Sequence, residues 1–381
     1  MKKVLVVAYM HKKYDKRVWK SVEILSKIYD VIYIYWDLQN EKPYKYSNIE
    51  YIPVYYKYET KSRFRDSLKR IRYERKICRI SKKYINSGNI DIVYIHHFAT
   101  FFPFCVYKLA KKRKIPIVTD YHEYIPEEYM FSLRNKIPFV KIVGKAINKK
   151  ITIMSSGGIF VSPWVKRVST SINPSLKALV IPNYALMKTE VVDKNSRSKE
   201  IIFVGGVMRK MDYEFKILEM LRREGFKITS LGVNFKKANV NYERFLPYDK
   251  MMKRISTAAF SLVSYSPYDT KGTLLMNYSR TFPNKFFDSI AAGVPVIVRK
   301  EFKEMVDIVE KYGVGIVIPS DDERKAANMI LKAWNEHYDL IIDNIKKYQD
   351  EFCWNEDKEK LFLDFFENIR MGDNQRRASD S

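Results

Sequence analysis

Short apolar runs alternate with longer stretches of helical period along most of the chain, and this alternation limits the folds open to it. Such a pattern is typical of strand–helix–strand units that build a parallel sheet. The first series of predicted strands is Lys3–Ala8, Val31–Tyr35, Glu50–Val54, Asp91–Ile95, Pro116–Thr119 and Gly158–Val161. The second series is Ile201–Val204, Lys227–Leu231, Ala259–Val263, Val294–Val298 and Gly315–Ile318. We therefore predict two α/β domains in tandem.

The domain boundaries follow from composition. At 381 residues and 46% hydrophobic content, the chain is long enough to fill two cores. A polar, interrupted stretch predicts a linker over residues 183–199, between an N-terminal domain (1–182) and a C-terminal domain (200–350). Residues 351–371 predict a last helix, and residues 372–381 a disordered polar tail. Ligands are expected at the carboxyl ends of the strands, in a cleft that the two domains share.

The chain is strongly basic. Its 69 Lys and Arg residues outnumber its 44 Asp and Glu residues, giving a formal charge of +25. This excess implies an anionic partner, which composition leaves open among nucleic acid, anionic lipid and phosphorylated small molecules. The cysteines Cys78, Cys105 and Cys353 lack C-x-x-C spacing, which favours a reducing compartment and argues against a zinc site or a disulfide framework. No stretch has the apolar density of a membrane span, so we expect a soluble or peripheral protein.

The stretch Thr281–Val298 combines a helix start, a glycine-capped helix end and a following apolar strand. Pro283, Asn284 and Lys285 open the helix, with the proline suited to the first helical position. Backbone N–H groups at a helix start, with a lysine beside them, make an anion site. Asp288 lies one turn further in, where it can accept hydrogen bonds from a ribose. An ordinary strand-flanked helix with a glycine cap would look the same locally.

This stretch resembles the donor-nucleotide segment of GT-B glycosyltransferases, specifically the family 4-like enzymes of bacterial and archaeal surface polysaccharide synthesis. The resemblance rests on Pro-Asn-Lys, the carboxylate three residues on, and Ala-Ala-Gly-x-Pro-Val. It implies a GT-B fold, in which two Rossmann-like domains face a central cleft and the last helix crosses back to the N-terminal domain. It further implies a retaining enzyme that moves a sugar from a nucleotide-sugar donor to a lipid-linked or polysaccharide acceptor.

The resemblance extends to other donor residues. Gly205 and Gly206 follow the first strand of the second domain, and Arg209 and Lys210 come next. In the family, the corresponding glycine loop and basic pair contact the donor phosphates. A tight turn followed by solvated basic residues is the alternative.

One position departs from the family pattern, which has two glutamates separated by seven residues. Asp288 takes the second place, whereas Arg280 stands in the first. The departure leaves the contact to the donor sugar unassigned. It also keeps open a catalytically degenerate partner subunit as an alternative function.

Two segments of the N-terminal domain carry candidate acceptor-side chemistry. The loop after the first strand has no glycine, so it lacks the G-x-G-x-x-G of dinucleotide enzymes. Its Asp15-x-Arg17 pattern resembles the loop that faces the acceptor in the same glycosyltransferases. Alternatively, Asp15 caps the helix and Arg17 is a solvated first-turn residue.

The second segment, Asp120, His122 and Glu123, follows a predicted strand and forms the best acid–base cluster of the chain. It resembles the short His/Glu segment that these enzymes carry near the reacting sugar. Helix capping by one of the carboxylates is the alternative. The adjacent His96 and His97 also end a strand, and their side chains should point to opposite sides.

Spacing predicts an enzyme without a metal or another cofactor. The five histidines contain no helical H-x-x-x-H pair, and the sequence has no Asp-x-Asp. Cations and backbone dipoles must then stabilise the departing nucleoside diphosphate.

A basic, amphipathic segment, Lys57–Lys83, predicts a contact with anionic membrane, on the inner face of the cell membrane if the resemblance holds. A surface helix packed on its own sheet, with a solvated charged face, is equally compatible. The charge and the 28 tyrosines also suggest nucleic-acid binding, but no RNA-binding signature is present. We therefore expect a nucleotide-sugar donor, a lipid-linked or glycan acceptor and a membrane surface as partners, and no nucleic acid.

Overall fold

The computed structural model describes residues 2–59, 62–129, 140–206, 209–235, 239–269 and 271–379. Its strands are β1 (Lys3–Lys12), β2 (Asp30–Asp37), β3 (Tyr44–Tyr46), β4 (Ile49–Tyr55), β5 (Ile92–His96), β6 (Ile117–Tyr121), β7 (Gly157–Phe160), β8 (Lys177–Val180), β9 (Ser198–Val204), β10 (Lys227–Leu231), β11 (Asn241–Glu243), β12 (Ala258–Leu262), β13 (Val296–Arg299) and β14 (Gly315–Ile318). Its α-helices are α1 (Lys16–Leu25), α2 (Arg63–Asn86), α3 (Cys105–Lys112), α4 (Ile125–Glu128), α5 (Val140–Met154), α6 (Pro163–Ile172), α7 (Asp212–Arg223), α8 (Tyr248–Ser256), α9 (Met276–Ser279), α10 (Asn284–Ala291), α11 (Lys303–Tyr312), α12 (Glu323–Lys332), α13 (Tyr338–Tyr348) and α14 (Glu356–Ser379). The predicted α/β class is confirmed.

The chain forms two compact units. The first comprises Met1–Ile181 together with Glu356–Ser381, and the second comprises Pro182–Asn355. In the described residues the sheet of the first unit has eight strands, in the order β3-β4-β2-β1-β5-β6-β7-β8, and only β3 is antiparallel to its neighbour. Its centre is apolar on both faces, as expected for a parallel sheet covered by helices.

The second unit is built on a parallel sheet whose described strands follow the order β11-β10-β9-β12-β13-β14. Its core packs residues of β9 and β10 against α8 and α10, with Met252, Ile255 and Ala291 at 0% exposure. The loop at the carboxyl end of β9 carries Gly205, and the loop at the carboxyl end of β10 carries Gly232.

The last helix belongs to the first unit. Glu367 of α14 accepts hydrogen bonds from the Lys2 ammonium and the Tyr29 hydroxyl, both at 2.6 Å. Phe366 of the same helix is buried and lies edge-on to Tyr94, with ring centroids 5.1 Å apart. These contacts attach the end of the chain to the N-terminal sheet.

The predicted tail and the predicted linker both differ from the prediction. The helix α14 continues to Ser379, so the tail predicted to be disordered is helical as far as it is described, and residues 380–381 lie outside the described part. Residues 372–379 lack proline and include the good helix formers Gln375, Arg376, Arg377 and Ala378, so a polar composition alone did not predict disorder.

The predicted linker over residues 183–199 belongs to the second unit. The backbone of Ala185 pairs with Cys353, and the Arg197 guanidinium donates to the carbonyls of Gly293 at 2.8 Å and Ala258 at 3.2 Å. Because these contacts satisfy its polar groups, the stretch is part of a folded unit despite its polar composition.

The cysteine prediction is also corrected. Cys78 of α2 and Cys105 of α3 form a disulfide, with Cα atoms 6.1 Å apart, while Cys353 is free and buried. Sequence spacing could not reveal the pair, because the two helices meet only in the folded unit.

The helix α2 combines a buried and an exposed face. Tyr73 and Ile77 are buried against the sheet, whereas Phe64 is 74% exposed and Leu68 is 41% exposed. The predicted apolar stripe is therefore divided between the core and the surface. Thr60 and Lys61, within the predicted membrane segment, lie outside the described residues. Among the helices that the structure describes, none is both long and apolar enough to span a bilayer.

Candidate donor and acid–base sites

In the second unit, α10 presents its N-terminus after the predicted Pro-Asn-Lys run. Pro283 takes the N-cap position with extended backbone angles, and Asn284 is the first helical residue, one position later than predicted. The helix ends where Gly293 adopts a φ of +74°, a conformation that residues with a Cβ rarely adopt. The free backbone N–H groups of a first helical turn favour an anion.

Lys285 and Arg209 are brought together by aromatic rings. The Lys285 ammonium lies 3.9 Å from the ring centre of Phe203 and 5.1 Å from that of Tyr265. The Arg209 guanidinium lies 5.4 Å from the same Tyr265 ring and 4.8 Å from the ring of Tyr278. Within the described residues, neither cation forms an ion pair with a carboxylate. The rings therefore hold two cations together that an anionic ligand can neutralise.

The surroundings make Lys285 a titratable cation. Burial lowers the pKa of the Lys285 ammonium to about 7, and the charge of Arg209 acts in the same direction. A negatively charged ligand would favour the protonated form.

Lys210 does not join this pair. Its side chain is 74% exposed and its ammonium lies 3.9 Å from an Asp212 carboxylate oxygen. Neighbouring residues of a non-helical segment point in different directions, so the predicted basic pair contributes only Arg209 to the cluster.

The glycine loop after β9 allows close backbone approach. A Cβ at Gly206 would meet nothing within 4 Å, whereas one at Gly205 would lie 3.2 Å from the Phe203 ring. Gly232, which has a φ of +101°, packs against the Gly205 carbonyl so closely that a Cβ there would approach to 2.6 Å. The sequence did not single out Gly232, because it follows a different strand, β10.

Asp288 is buried and its orientation is fixed by α8. It is 3% exposed, and its carboxylate accepts a hydrogen bond of 2.7 Å from the Tyr248 hydroxyl. That hydroxyl accepts a bond from the Leu186 backbone N–H at 3.0 Å. Burial and the Asp288 charge raise the pKa of Tyr248, which therefore remains a donor. Sequence analysis missed Tyr248, since it lies 40 positions from Asp288.

Arg280, the residue that departs from the family pattern, forms an ion pair. Arg280 places Nη1 3.9 Å from Oε1 of Glu304, a residue that is 4% exposed. A guanidinium therefore stands where the family has a carboxylate.

In the first unit, Arg17 and Asp120 form a buried ion pair. The Arg17 Nη2 and Nε atoms donate to Oδ1 of Asp120 at 2.7 and 3.0 Å, and the Tyr94 hydroxyl donates to Oδ2 at 2.6 Å. Burial alone would raise the pKa of the Asp120 carboxyl, but the Arg17 guanidinium holds it well below its ordinary value. Arg17 is 8% exposed, so the alternative of a solvated first-turn residue is wrong.

A chain of hydrogen bonds links Ser21 and His96 to His122. The Ser21 hydroxyl donates to the Val18 carbonyl at 2.7 Å and lies 3.2 Å from His96 Nε2. Because one hydroxyl has one hydrogen, this geometry favours His96 Nε2 as the donor in the second bond. Burial lowers the pKa of His96 to about 3, so its ring is neutral and Nδ1 is then an acceptor. Nδ1 lies 2.9 Å from His122 Nε2, so the chain of bonds predicts that the proton of His122 is on Nε2.

His122 therefore offers Nδ1 as an acceptor. Burial and the neighbouring His11 keep the pKa of His122 well below its ordinary value, so the ring is neutral at pH 7. The rings of His11 and His122 lie 4.4 Å apart. Asp15 caps α1 by accepting from the Val18 backbone N–H at 3.3 Å and lies 3.4 Å from His11 Nδ1. Glu123, by contrast, is exposed.

A second group of polar atoms is buried in the same unit. Tyr9, His97, Thr100 and Glu128 each have a buried oxygen or nitrogen atom with no hydrogen-bond partner among the described residues. His97 Nε2 lies 3.5 Å from Oε2 of Glu128. Tyr9 has a φ of +27°, which a non-glycine residue rarely adopts.

The two adjacent histidines have different neighbours, as alternation along a strand requires. His96 faces Asp120 and His122, and His97 faces Glu128. The ligand atoms of His96, Asp120 and His122 lie within 4.8 Å of one another, a spacing that a metal ion could bridge. A metal would have to replace the bond between the two rings and compete with Arg17 for the carboxylate. The sequence did not reveal the cluster because β5 and β6 bring its members together.

Comparisons with known proteins agree with this architecture. Residues 201–353 match the family described as glucosyltransferase 3-like, C-terminal domain. No curated protein sequence matches the chain.

The fold is similar to that of solved glycosyltransferases. Sucrose-phosphate synthase from Thermosynechococcus elongatus superposes with a TM-score of 0.66 at 12% identity, over 100% of this chain and 99% of that one. Anabaena HepE in complex with UDP and glucose gives 0.60 at 11% identity, over 100% and 99%. WaaG, a glycosyltransferase involved in lipopolysaccharide biosynthesis, gives 0.58 at 10% identity, over 91% and 95%. The chain thus has the GT-B fold of these glycosyltransferases, and its residues 201–353 match the glucosyltransferase 3-like C-terminal domain.

Proposed function

We propose that the chain transfers a sugar from a nucleotide-sugar donor to a lipid-linked or polysaccharide acceptor in cell-surface glycan synthesis, with retention and without a metal ion. The observation that carries this proposal is the pair Lys285 and Arg209, two cations without a carboxylate partner in the described residues, near the start of α10. A solved structure of similar fold holds UDP and glucose, and another belongs to lipopolysaccharide biosynthesis. Both support a nucleotide donor and a glycan product.

At the donor end, Lys285, Arg209 and the backbone N–H groups of α10 would neutralise the diphosphate. Such preorganised charge stabilises the leaving group as negative charge develops on it. Gly205 and Gly206 would let the chain approach the phosphates, and Asp288 would accept from the ribose hydroxyls. Tyr248 holds that carboxylate in one orientation.

At the acid–base cluster, His122 would accept a hydrogen bond or a proton through Nδ1. Asp120 is an ionised, buried partner of Arg17, so its role is to position the cluster rather than to exchange protons. Glu123 is exposed and is the second candidate for acid–base work.

Two helices of the first unit support a place on an anionic membrane, at the inner face of the cell membrane. The exposed residues of α2 combine cations with Phe64 and Leu68. On α5, Ile142, Val143 and Ile153 are at least half exposed and lie among exposed lysines. Exposed apolar side chains among cations are the features of an interfacial helix, and they favour lipid over nucleic acid as the macromolecular anion.

The proposal is tested by turnover of a panel of labelled nucleotide sugars, with membrane extract as the acceptor source. We expect one donor to be consumed and its sugar to appear in lipid-extractable or polymeric product. His122→Ala and Glu123→Gln should lower turnover by about 10²–10⁴-fold while leaving donor binding intact. If both variants keep full activity, the cluster is structural.

Donor binding without any turnover would favour the second candidate, a degenerate partner subunit. The observation behind that candidate is Arg280, whose ion pair with Glu304 stands where the family has a carboxylate. Restoring a glutamate at position 280 would then be the variant to compare with the native protein.

A further inference from the structure

A pocket of about 560 Å³ lies in the first unit between the end of β4 and the first half of α2, largely within the segment Lys57–Lys83 and apart from the donor and acid–base residues. Small-molecule sites have volumes of about 300–1,000 Å³, so this one has the size of a ligand site. We propose that the pocket binds an acidic saccharide, a segment of one or two sugar rings that carries an anionic group. The inference rests on the proposed function, because it names a chemical feature of the acceptor or product glycan.

The charge of the pocket selects an anion. Its lining contains the cations Lys57, Lys69, Arg72 and Lys76 and a single carboxylate, Glu59. Glu59 is already paired with Lys69, whose ammonium lies 2.9 Å from its Oε2. In the part of the chain that the structure describes, the other three cations have no ion-pair partner. An anion entering the pocket therefore meets uncompensated positive charge.

The helix places these cations on one face. Lys69, Arg72, Tyr73 and Lys76 follow the i, i+3, i+4 and i+7 spacing of one side of α2. The cations therefore converge on one side of the ligand instead of surrounding the helix.

The aromatic lining selects a sugar ring. Tyr55 and Tyr58 line the pocket and are 41% and 51% exposed. The Tyr58 ring packs edge-on against Trp36, with centroids 5.5 Å apart. The C–H faces of a pyranose are apolar and pack well on such rings, while its hydroxyls can reach the flanking cations. A bare phosphate ion would use the cations and leave both rings unused.

The wall of the pocket is held in place before any ligand arrives. Tyr56 and Tyr73 lie beneath it, both buried, with ring centroids 5.2 Å apart. One oxygen of Asp66 accepts from the Tyr56 hydroxyl and from the Glu59 backbone N–H, both at 2.8 Å. Because Asp66 is engaged in these bonds, it orders the loop instead of cancelling the charge of the pocket. A preorganised site loses less conformational entropy on binding.

The test is calorimetric titration of the full chain at low salt, without donor, with three ligands of matched size or charge. These are a glucuronate-containing disaccharide derived from hyaluronan, the neutral disaccharide chitobiose, and inorganic phosphate. We expect the acidic disaccharide to bind at least about tenfold more tightly than either control, the ratio that one charged hydrogen bond provides.

Variants locate the site. Arg72→Ala with Lys76→Ala should weaken the acidic disaccharide at least about tenfold. The control, Arg79→Ala with Lys82→Ala, removes the same charge from exposed positions on later turns of α2 that do not line the pocket. It should change the affinity for the acidic disaccharide by less than about twofold. Tyr55→Ser with Tyr58→Ser should weaken the disaccharide but leave phosphate affinity unchanged. Thermal melting checks that each variant is folded.

Several outcomes overturn the proposal. They are the absence of binding, equal loss in the pocket and control variants, and phosphate affinity equal to that of the acidic disaccharide. Binding only to phosphatidylglycerol vesicles, added in a parallel sedimentation arm, would assign the cations to a lipid headgroup instead. Because the titration contains no donor, absence of saccharide binding would reject the pocket proposal without rejecting the proposed transferase function. The turnover assay tests that function separately.

Discussion

Residues assigned from one contiguous motif lie close together in the folded chain, whereas their supporting residues come from distant segments. Asp288 and Lys285 were predicted from one run, but Tyr248, which orients Asp288, belongs to another helix. In the same way, His122 was predicted, whereas Ser21 and His96 were not assigned to its hydrogen-bond chain. Such partners are set by tertiary packing, which spacing along the sequence does not encode.

Replacing Asp288 by Asn tests the ribose assignment. The variant should bind a nucleoside diphosphate more weakly by about 1.5–3 kcal/mol, the contribution of a charged hydrogen bond. Tyr248→Phe is the matched control, since it removes the hydroxyl that orients the carboxylate but keeps the charge of Asp288. It should weaken nucleoside diphosphate binding by a smaller amount. The measurement is calorimetric titration with UDP and the other common nucleoside diphosphates. Unchanged affinity in Asp288→Asn would rule the assignment out.

Diphosphate binding should depend on pH through Lys285. Its pKa in the empty site is lowered to about 7, and a bound diphosphate raises it, because the anion favours the charged ammonium. Binding therefore takes up protons, and affinity should be highest below pH 7 and fall as pH rises above that value. Titrations in two buffers with different ionisation enthalpies measure the uptake. Lys285→Arg keeps its charge and should lose the dependence; if the native protein shows none, Lys285 does not contact the diphosphate.

NMR spectroscopy can test which ring nitrogen of His122 carries the proton. With five histidines in the chain, ¹⁵N spectra of the imidazoles should assign neutral, Nε2-protonated tautomers to His96 and His122. Ser21→Ala removes the acceptor for His96 and should shift both rings toward the Nδ1-protonated form. Ser26→Ala is the control, because that hydroxyl bonds only the Glu23 carbonyl within the described residues. Identical tautomers in the native protein and in Ser21→Ala would show that the serine does not set the proton.

At the scale of elements, prediction succeeded where strands are buried on both faces. The central strands of both sheets read as apolar runs and were found in sequence, but β3, β8 and β11 were missed. Each of these three lies at an edge of its sheet. These three strands are only three or four residues long and partly solvated, so they lack the apolar run on which the prediction depended, whereas the edge strand β14 has such a run and was found.

Membrane docking is a prediction about two helices, α2 and α5. Changing three exposed cations of one helix to Glu should reduce binding to anionic liposomes about a hundredfold or more, because each basic residue near such a surface contributes about 1 kcal/mol. The α2 variant changes Arg75, Arg79 and Lys82, and the α5 variant changes Lys141, Lys145 and Lys149. Arg70 is left intact, since it is bonded to the buried Glu74.

The control for that experiment changes Arg324, Lys325 and Lys332, exposed cations of the second unit. Sedimentation at low and high salt should show binding of the native and control proteins only at low salt. If the native protein does not bind, or if all four proteins bind equally, both faces are solvated helix surfaces.

For the whole molecule, strand–helix alternation was sufficient to predict two α/β units. Their exact membership did not follow from this pattern: Arg197 attaches the expected linker to the second unit, and the place of the last helix in the first unit, where Glu367 attaches it, was implied only by the family resemblance. Both attachments join residues far apart in sequence. The register between such distant segments follows from packing, which a local pattern does not specify.

Removal of metal ions tests whether donor turnover requires a metal ion. If Lys285 and Arg209 neutralise the donor diphosphate, donor turnover should be unchanged after the protein is treated with EDTA and passed over a chelating column. The competing possibility comes from the other unit, where His96, Asp120 and His122 place ligand atoms within 4.8 Å of one another. Zinc bound there would have to break the bond between the two histidines, so added zinc should inhibit. Activity lost with EDTA, restored by one divalent ion, and absent in His96→Ala would instead make this cluster a metal centre and reject a metal-independent mechanism.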